Sequence, residues 1–214
     1  MLINEIFFSL QGESTFTGLP CVFVRLAGCN LECAWCDTAY ARSRADGIEK
    51  SVDEVLGEVE KFPRGLVEIS GGEPLLQDET SALAGRLLES FDNVLLETNG
   101  SIDISKVPAG VIRVVDVKCP SSGASGTFKM ENLTALTPDD EMKFVIGDRE
   151  DYEFAVEFIT SNGLSRSRAE KILFSPVNGT LPPKTLAEWV LEDRLRVRVQ
   201  VQLHTIVWPG EKGR

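Results

Sequence analysis

Histidine is almost missing from this sequence: 214 residues include one, His204. With a single histidine and no serine elbow, a hydrolytic triad is not expected. Positive charge is also scarce. There are 22 basic against 33 acidic side chains, a formal net charge of −11. That balance fits a nucleic-acid backbone poorly, so no nucleic-acid partner is expected, and its plain meaning is solubility. No apolar run approaches the length of a membrane span, and no basic segment leads into an apolar one near the start. No membrane partner is therefore expected, and the expected compartment is the cytoplasm. No linker divides the chain and no short repeat recurs, so residues 1–214 are expected to form a single domain, with an ordinary 43% of hydrophobic residues.

Cysteine is the exception to this scarcity, because three of the five lie close together in Gly28-Cys29-Asn30-Leu31-Glu32-Cys33-Ala34-Trp35-Cys36-Asp37-Thr38. A disulfide framework would spread its cysteines out, so a reducing compartment is the better reading. Thiolate is the soft ligand that iron–sulfur clusters take. Three thiolates on one loop would leave the fourth iron of a cube without a protein ligand, open to a small chelating molecule. Two alternatives stand beside this. Zinc accepts three cysteines and a fourth ligand, but no second C-x2-C knuckle is present and only His204, Cys21 and Cys119 remain to complete it. A ferredoxin-type carrier would need four cysteines. Cys21 and Cys119 read as small buried hydrophobes.

Apolar runs and amphipathic stretches alternate along the chain. Strands are expected at Leu2–Ser9, Cys21–Leu26, Leu66–Ile69, Val94–Glu97, Val111–Val117, Met142–Ile146, Ile172–Phe174 and Val197–Leu203. Ser51-Val52-Asp53-Glu54 carries a capping-box signature ahead of Val52, Val55, Val59 and Phe62 at helical spacing. Further helices are expected over Ser81–Phe91, Asp151–Thr160 and Pro183–Glu192, the last with proline in its first turn. Ser121–Thr137 lacks periodicity and reads either as a mobile lid or as a plain surface loop. This alternation predicts an α/β fold with mostly parallel strands.

The polar motifs follow strands. Cys29 comes after Cys21–Leu26, Ser70-Gly71-Gly72-Glu73-Pro74 after Leu66–Ile69, and Thr98-Asn99-Gly100 after Val94–Glu97. Lys118, Ser175-Pro176-Val177-Asn178 and His204 come at or after later strands. Chemistry gathers at the carboxyl ends of strands in α/β barrels, so the pattern predicts a partial (β/α) barrel with one polar mouth.

Each motif has a plain reading beside a functional one. Gly71 and Gly72 make a tight turn, or let a ligand approach the backbone. Asn99 and Lys118 can donate hydrogen bonds to a carboxylate or to ribose hydroxyls. Gln11-Gly12-Glu13 offers an amide and a carboxylate around a residue without a side chain. Arg25 suits a substrate carboxylate, or a surface ion pair. Asp37-Thr38 could cap a helix, while the Thr38 hydroxyl could serve Mg²⁺, which takes few protein ligands and keeps its waters. His204 either touches substrate or is a satisfied structural histidine.

Taken together, C-x3-C-x-aromatic-C, Asp37-Thr38 and Ser9-Leu10-Gln11-Gly12-Glu13-Ser14 resemble the 7-carboxy-7-deazaguanine synthase family of the radical S-adenosylmethionine (SAM) superfamily. The resemblance runs from Gln11 to Gln202-Leu203-His204 and Trp208-Pro209. It implies a [4Fe-4S] cluster on Cys29, Cys33 and Cys36, SAM on the open iron, and Mg²⁺ at Thr38. It implies a SAM site of Trp35, Asp37, Gly72, Asn99, Asp116, Val117, Lys118, Ser175, Pro176, Val177 and Asn178. The family often has Ser-Pro-Lys where this chain has Asp116-Val117-Lys118, so only the lysine matches. Leu10, Gln11, Gly12, Glu13, Arg25, Ser70, His204 and Pro209 are implied substrate contacts, reached through short N-terminal and C-terminal segments. The implied reaction turns 6-carboxy-5,6,7,8-tetrahydropterin into 7-carboxy-7-deazaguanine with loss of ammonia, for queuosine and related 7-deazapurines. A 5′-deoxyadenosyl radical starts it. A homodimer and a flavodoxin or ferredoxin electron donor are also implied. The competing enzyme reading is an activating enzyme that installs a glycyl radical on a protein; the non-enzymatic one is a zinc-binding interaction module.

Overall fold

Short apolar runs that can be buried on both faces form parallel strands, and the amphipathic stretches between them supply the covering helices. The computed structural model describes residues 1–164, 168–211 and 213. Its strands are β1 (Leu2–Leu10), β2 (Pro20–Leu26), β3 (Ile48–Glu49), β4 (Leu66–Gly71), β5 (Asn93–Thr98), β6 (Ile112–Asp116), β7 (Glu141–Ile146), β8 (Ile172–Pro176) and β9 (Arg198–Val199). They make one nine-stranded sheet in the order β3-β1-β2-β4-β5-β6-β7-β8-β9. Every neighbouring pair from β2 to β9 is parallel, while β1 is antiparallel to both β2 and β3. The helices are α1 (Val52–Val59), α2 (Thr80–Leu87), α3 (Asn132–Ala135), α4 (Arg149–Ser161), α5 (Pro183–Glu192) and α6 (Leu203–Val207). Among the described residues no helix is long and apolar enough to cross a membrane.

Local sequence accounts for several boundaries. Ser51 Oγ accepts the Glu54 N–H at 3.2 Å and the Glu54 carboxylate accepts the Ser51 N–H at 2.7 Å, the reciprocal cap that starts α1. Pro183 occupies the first turn of α5, where its missing N–H costs nothing.

The two faces of the sheet differ sharply. Alternate residues on the outer face (Val22, Val24, Val67, Ile69, Val94 and Leu96) pack against α1 and α2 through Val55, Val59, Leu83 and Leu87. Met142, Phe144, Ile146, Ile172 and Phe174 do the same against Tyr152, Ala155, Ile159, Leu186 and Val190 of α4 and α5. On the inner face Cys21, Phe23, Leu66, Leu95 and Val114 form a smaller apolar floor, joined by Phe7, Phe16 and Ile112.

The sheet is open, and polar ties lace its two ends together. Gln200 Nε2 donates to the Ser14 carbonyl at 2.5 Å and to Thr17 Oγ1 at 2.7 Å, and the Leu203 N–H donates to the Gly12 carbonyl at 2.9 Å. These ties correct the expected strand over Val197–Leu203. Only Arg198 and Val199 pair with β8; the chain then crosses to the Gly12–Thr17 segment, and Leu203–Val207 is helical. His204 therefore sits in α6 rather than after a strand.

The Ser121–Thr137 stretch is a buttress rather than a lid. The Ser122 carbonyl accepts the Ala34 N–H of the cysteine loop at 3.0 Å. Asn132 Nδ2 donates to the Gly100 and Ile102 carbonyls, each at 2.9 Å, and Phe128 stands edge-on to Phe158 at 5.4 Å.

Candidate functional site

A cavity of about 390 Å³ opens at the carboxyl ends of the parallel strands. β2 delivers the cysteine loop, β4 the Ser70–Glu73 turn, β5 Thr98 and Asn99, β6 Asp116 and Lys118, and β8 Val177 and Asn178. Leu10, Gln11, Gly12 and Glu13 after β1, with His204 of α6, form the opposite wall.

The cysteine loop is seated on the Gly-Gly-Glu turn. The Gly72 N–H donates to the Leu26 carbonyl at 3.1 Å and the Glu73 N–H to the Gly28 carbonyl at 2.8 Å. A Cβ at Gly72 would lie 2.3 Å from the Gly28 carbonyl oxygen and 2.8 Å from Cys29 Cβ. The packing of the cysteine loop is thus sufficient by itself to require glycine here. Glu73 is fully buried and holds the next strand end: its carboxylate accepts Thr98 Oγ1 at 2.9 Å, the Asn99 N–H at 2.7 Å and the Leu75 N–H at 3.0 Å. Burial pushes its pKa up, against the pull of these hydrogen bonds. Asn99 in turn donates to Asn30 Oδ1 of the cysteine loop at 3.0 Å.

Cys29, Cys33 and Cys36 are half-buried thiols lining the cavity, none of them in a disulfide. Tetrahedral zinc at 2.3 Å from each sulfur would bring the sulfurs to about 3.8 Å of one another. Among the described residues, the one set of three metal-ligating side chains whose ligand atoms lie within 4.8 Å of each other is Glu13, Asp37 and His204, not the cysteines. Sulfurs spread more widely than one ion requires suit a cube, where each thiolate meets a different iron. On the wall where SAM is expected, Asp116 Oδ2 accepts Lys118 Nζ at 2.7 Å, while Oδ1 is buried without a protein partner. An orphaned acceptor in a cavity wall fits a ligand hydroxyl or ammonium.

The Thr38 hydroxyl lines the cavity and makes no capping hydrogen bond to the turn it precedes; its Oγ1 lies 3.7 Å from Cys36 Sγ. Next to it is an oxygen-rich corner of Glu13 and Asp37 with His204, a donor set that fits a hard cation. His204 Nε2 lies 3.7 Å from Asp37 Oδ2, and the His204 pKa is raised chiefly by Asp37. A Cβ at Gly12 would strike His204 Nδ1 at 2.3 Å, so the missing side chain at 12 makes the seat for the histidine. Arg25 makes the ion pair of its plain reading. Its Nε donates to Glu5 Oε1 at 2.9 Å, its guanidinium lies over the rings of Phe7 and Tyr40 at 5.6 and 5.9 Å, and it still lines the cavity.

Four expected contacts do not line the cavity: Val117, Ser175, Pro176 and Pro209. Strand alternation turns Val117 to the outer core while Asp116 and Lys118 face inward. Ser175 and Pro176 are buried in β8, and Pro209 is exposed beyond α6.

Glu68, Glu97 and Lys143 line the cavity without having been expected there. Lys143 Nζ meets Glu13 Oε2 at 2.6 Å, Asp116 Oδ2 at 3.7 Å and also Glu97. Burial alone would depress its pKa, but Glu13, Glu97 and Asp116 raise it well above the ordinary value, so it is a fixed cation and no nucleophile. The available signal was a charged residue within or at the end of an apolar run, as in Leu66-Val67-Glu68-Ile69, Val94-Leu95-Leu96-Glu97 and Met142-Lys143-Phe144.

Comparison with known proteins identifies the family. The model of the radical SAM superfamily matches residues 24–161. The chain is 50% identical over 228 residues to the 7-carboxy-7-deazaguanine synthase of Koribacter versatilis, covering 100% of both chains. It is 43% identical over 215 residues to the synthase of that name from Chlorobaculum tepidum, covering 99% of this chain and 96% of the relative. The crystal structure of QueE from Escherichia coli superimposes with a TM-score of 0.75 at 25% identity, over 95% of this chain and 94% of that one. SuiB of Streptococcus suis, crystallised with its precursor peptide SuiA, shares the fold alone, with a TM-score of 0.56 at 12% identity over 84% of this chain and 48% of that one.

Proposed function

This chain belongs to the 7-carboxy-7-deazaguanine synthase family of the radical SAM superfamily, and from that premise we propose how its own residues divide the work. The enzyme is a lyase that converts 6-carboxy-5,6,7,8-tetrahydropterin to 7-carboxy-7-deazaguanine with loss of ammonia, in queuosine biosynthesis, and its cofactors are a [4Fe-4S] cluster, SAM and Mg²⁺. When bound, the cluster and SAM supply the 5′-deoxyadenosyl radical that starts the ring contraction, and Mg²⁺ supplies charge at the substrate carboxylate.

In this reading Cys29, Cys33 and Cys36 hold the cluster, and the single observation carrying it is that all three face one cavity with Asp116 on one wall and Glu13 on another. Trp35, Asp37, Asn99, Asp116, Lys118, Val177 and Asn178 are the SAM wall. The unpaired Asp116 Oδ1 is its best-supported acceptor. Gly72 contributes by seating the cysteine loop, and Val117, Ser175 and Pro176 shape the wall from behind. Thr38 presents its hydroxyl to Mg²⁺. Arg25, preset by Glu5 and the Phe7 and Tyr40 rings, takes the substrate carboxylate, and Ser70 and His204 contact substrate beside it. Glu13, held by Lys143 and by Gln202 Nε2 at 2.7 Å, accepts donors of the pterin ring. Leu10 and Gly12 complete that wall, and Pro209 lies just beyond it. The protein's contribution is orientation and the exclusion of water.

The same reading makes residues 1–214 one domain acting in the cytoplasm as a homodimer, reduced by flavodoxin or ferredoxin. Anaerobic incubation of reconstituted protein with dithionite, SAM, Mg²⁺ and 6-carboxytetrahydropterin, followed by mass spectrometry, tests it. Formation of 7-carboxy-7-deazaguanine is expected. SAM cleavage with no deazapurine would reject the substrate assignment and leave the cluster assignment standing.

A further inference from the structure

Glu68 takes no part in that division of labour, yet it lines the cavity from the middle of β4. Across the sheet it is flanked by Phe23 of β2 and Leu95 of β5. Phe23 stacks on Phe7 with ring centroids 4.9 Å apart, and both rings line the cavity, so an aromatic wall adjoins the carboxyl. The side-chain amide of Gln11 donates to Glu68 Oε2, and Gln11 Oε1 accepts the Glu13 N–H at 3.0 Å. With 3% of its surface exposed and both ends of its amide engaged, Gln11 is better placed to hold Glu68 than to meet a ligand itself.

We propose that Glu68 is a specificity-determining residue, whose carboxyl, held by Gln11 at the end of the Phe7–Phe23 wall, hydrogen-bonds the pyrimidinone edge of the pterin. The assignment rests on the substrate reading above. Besides the N3–H and 2-amino donors that a carboxylate such as Glu13 can accept as a pair, a pyrimidinone edge sets a donor beside an acceptor, N3–H beside O4 or the 2-amino group beside N1. A carboxylate offers acceptors only, whereas a carboxyl that keeps its proton offers one of each. The cavity holds both kinds. Glu13 is paired with Lys143, but among the described residues no cation lies within ion-pair distance of Glu68. Glu68 is faced by Cys21 from β2, Glu97 from β5, Lys143 from β7, and Gln11 and Glu13 from the segment after β1. Burial first, then Glu97 and Glu13, push its pKa up to about 8 against the opposing pull of Gln11 and Lys143. At neutral pH the group is a donor as well as an acceptor.

The test is anaerobic calorimetry of 6-carboxytetrahydropterin binding to cluster-loaded protein with SAM and Mg²⁺ and without reductant, for wild type, Glu68→Gln and Glu68→Val. Glutamine keeps one donor and one acceptor, so Glu68→Gln is expected to bind within about threefold of wild type at pH 7; Glu68→Val, which keeps neither, is expected to bind at least about tenfold more weakly. Between pH 7 and 9 the wild type weakens as Glu68 loses its proton, and Glu68→Gln does not follow. Wild-type affinity in Glu68→Val, or parallel pH profiles in wild type and Glu68→Gln, overturns the assignment. Should Glu68→Val not fold, the two pH profiles decide alone. The iron–sulfur absorbance and the SAM affinity of each variant, measured without pterin, report separately on the cluster and SAM sites. A wild-type protein that cleaves SAM but does not bind the pterin refutes the substrate reading itself, and Glu68 with it.

Discussion

The two faces of the sheet share strands, register and burial, yet differ in almost every other respect. Lys143 and Phe144 are neighbours on β7; one is 4% exposed and the other fully buried. Phe144 meets Phe158 and Phe174 edge-on at 5.7 and 5.6 Å, inside an apolar layer. Lys143 meets Glu13, Glu97 and Asp116. The outer face gains stability from apolar area removed from water. The inner face spends part of that gain on desolvating charges, which persist because they are partnered. Burial alone therefore does not distinguish scaffold from site; what a buried residue touches does.

The largest expected effect falls on the inner face. Cys33→Ala is expected to abolish both the iron–sulfur absorbance of anaerobically reconstituted protein and its SAM cleavage, with the fold intact by circular dichroism. Retained cleavage would remove this thiol from the ligand set. Lys143→Met should lose activity and also destabilise the protein by about 3–5 kcal/mol, since three carboxylates lose their shared cation. Denaturant midpoints and turnover measured together would show it. Its neighbour sharpens the contrast. Phe144→Ala is expected to cost a similar ~3–5 kcal/mol of stability, yet the molecules that remain folded should turn over at the wild-type rate. A comparable loss of activity per folded molecule would mean that the two faces are not separable.

Thr38→Ala is milder. Cluster assembly and SAM binding should be spared while turnover falls and responds less to Mg²⁺; full Mg²⁺-stimulated activity would sink the metal assignment. The last effect is a slope in stability against pH. Glu68 binds its proton more tightly folded, at about 8, than at its ordinary value of 4.5. Stability should therefore fall as pH rises from about 4.5 to about 8, because the unfolded chain releases that proton first. Glu68→Gln should flatten this part of the wild-type profile in thermal melts, and identical profiles would place the proton elsewhere.

Much of the outer layer was legible in the sequence because one physical rule writes it: apolar runs become strands, and Ser51 with Glu54 announces a helix. The cysteine loop was legible because few chemistries want three thiolates at that spacing. Glu68, Glu97 and Lys143 were overlooked although each stands in plain view within or at the end of an apolar run. Alternation explains them, since a strand buried on both faces can turn one set of side chains to a core and the other to a cavity. The end of the chain was misread for a different reason. Val197–Leu203 alternates as a strand would, but Gln200 and Leu203 find partners in the Gly12–Thr17 segment. Such distant partners leave no mark on local periodicity.

Those ties also govern the order in which the enzyme is built. Gln202 and Glu13 are 189 positions apart, and they meet in one wall of the cavity. A ribosome adds about 5–20 residues per second, so the cysteine loop is out for many seconds before its opposite wall is complete. Contacts of such sequence separation are also among the slowest to close. A nascent or prematurely ended chain can thus present its three thiols without the wall that would hold a substrate, and only a finished chain can aim a radical at anything.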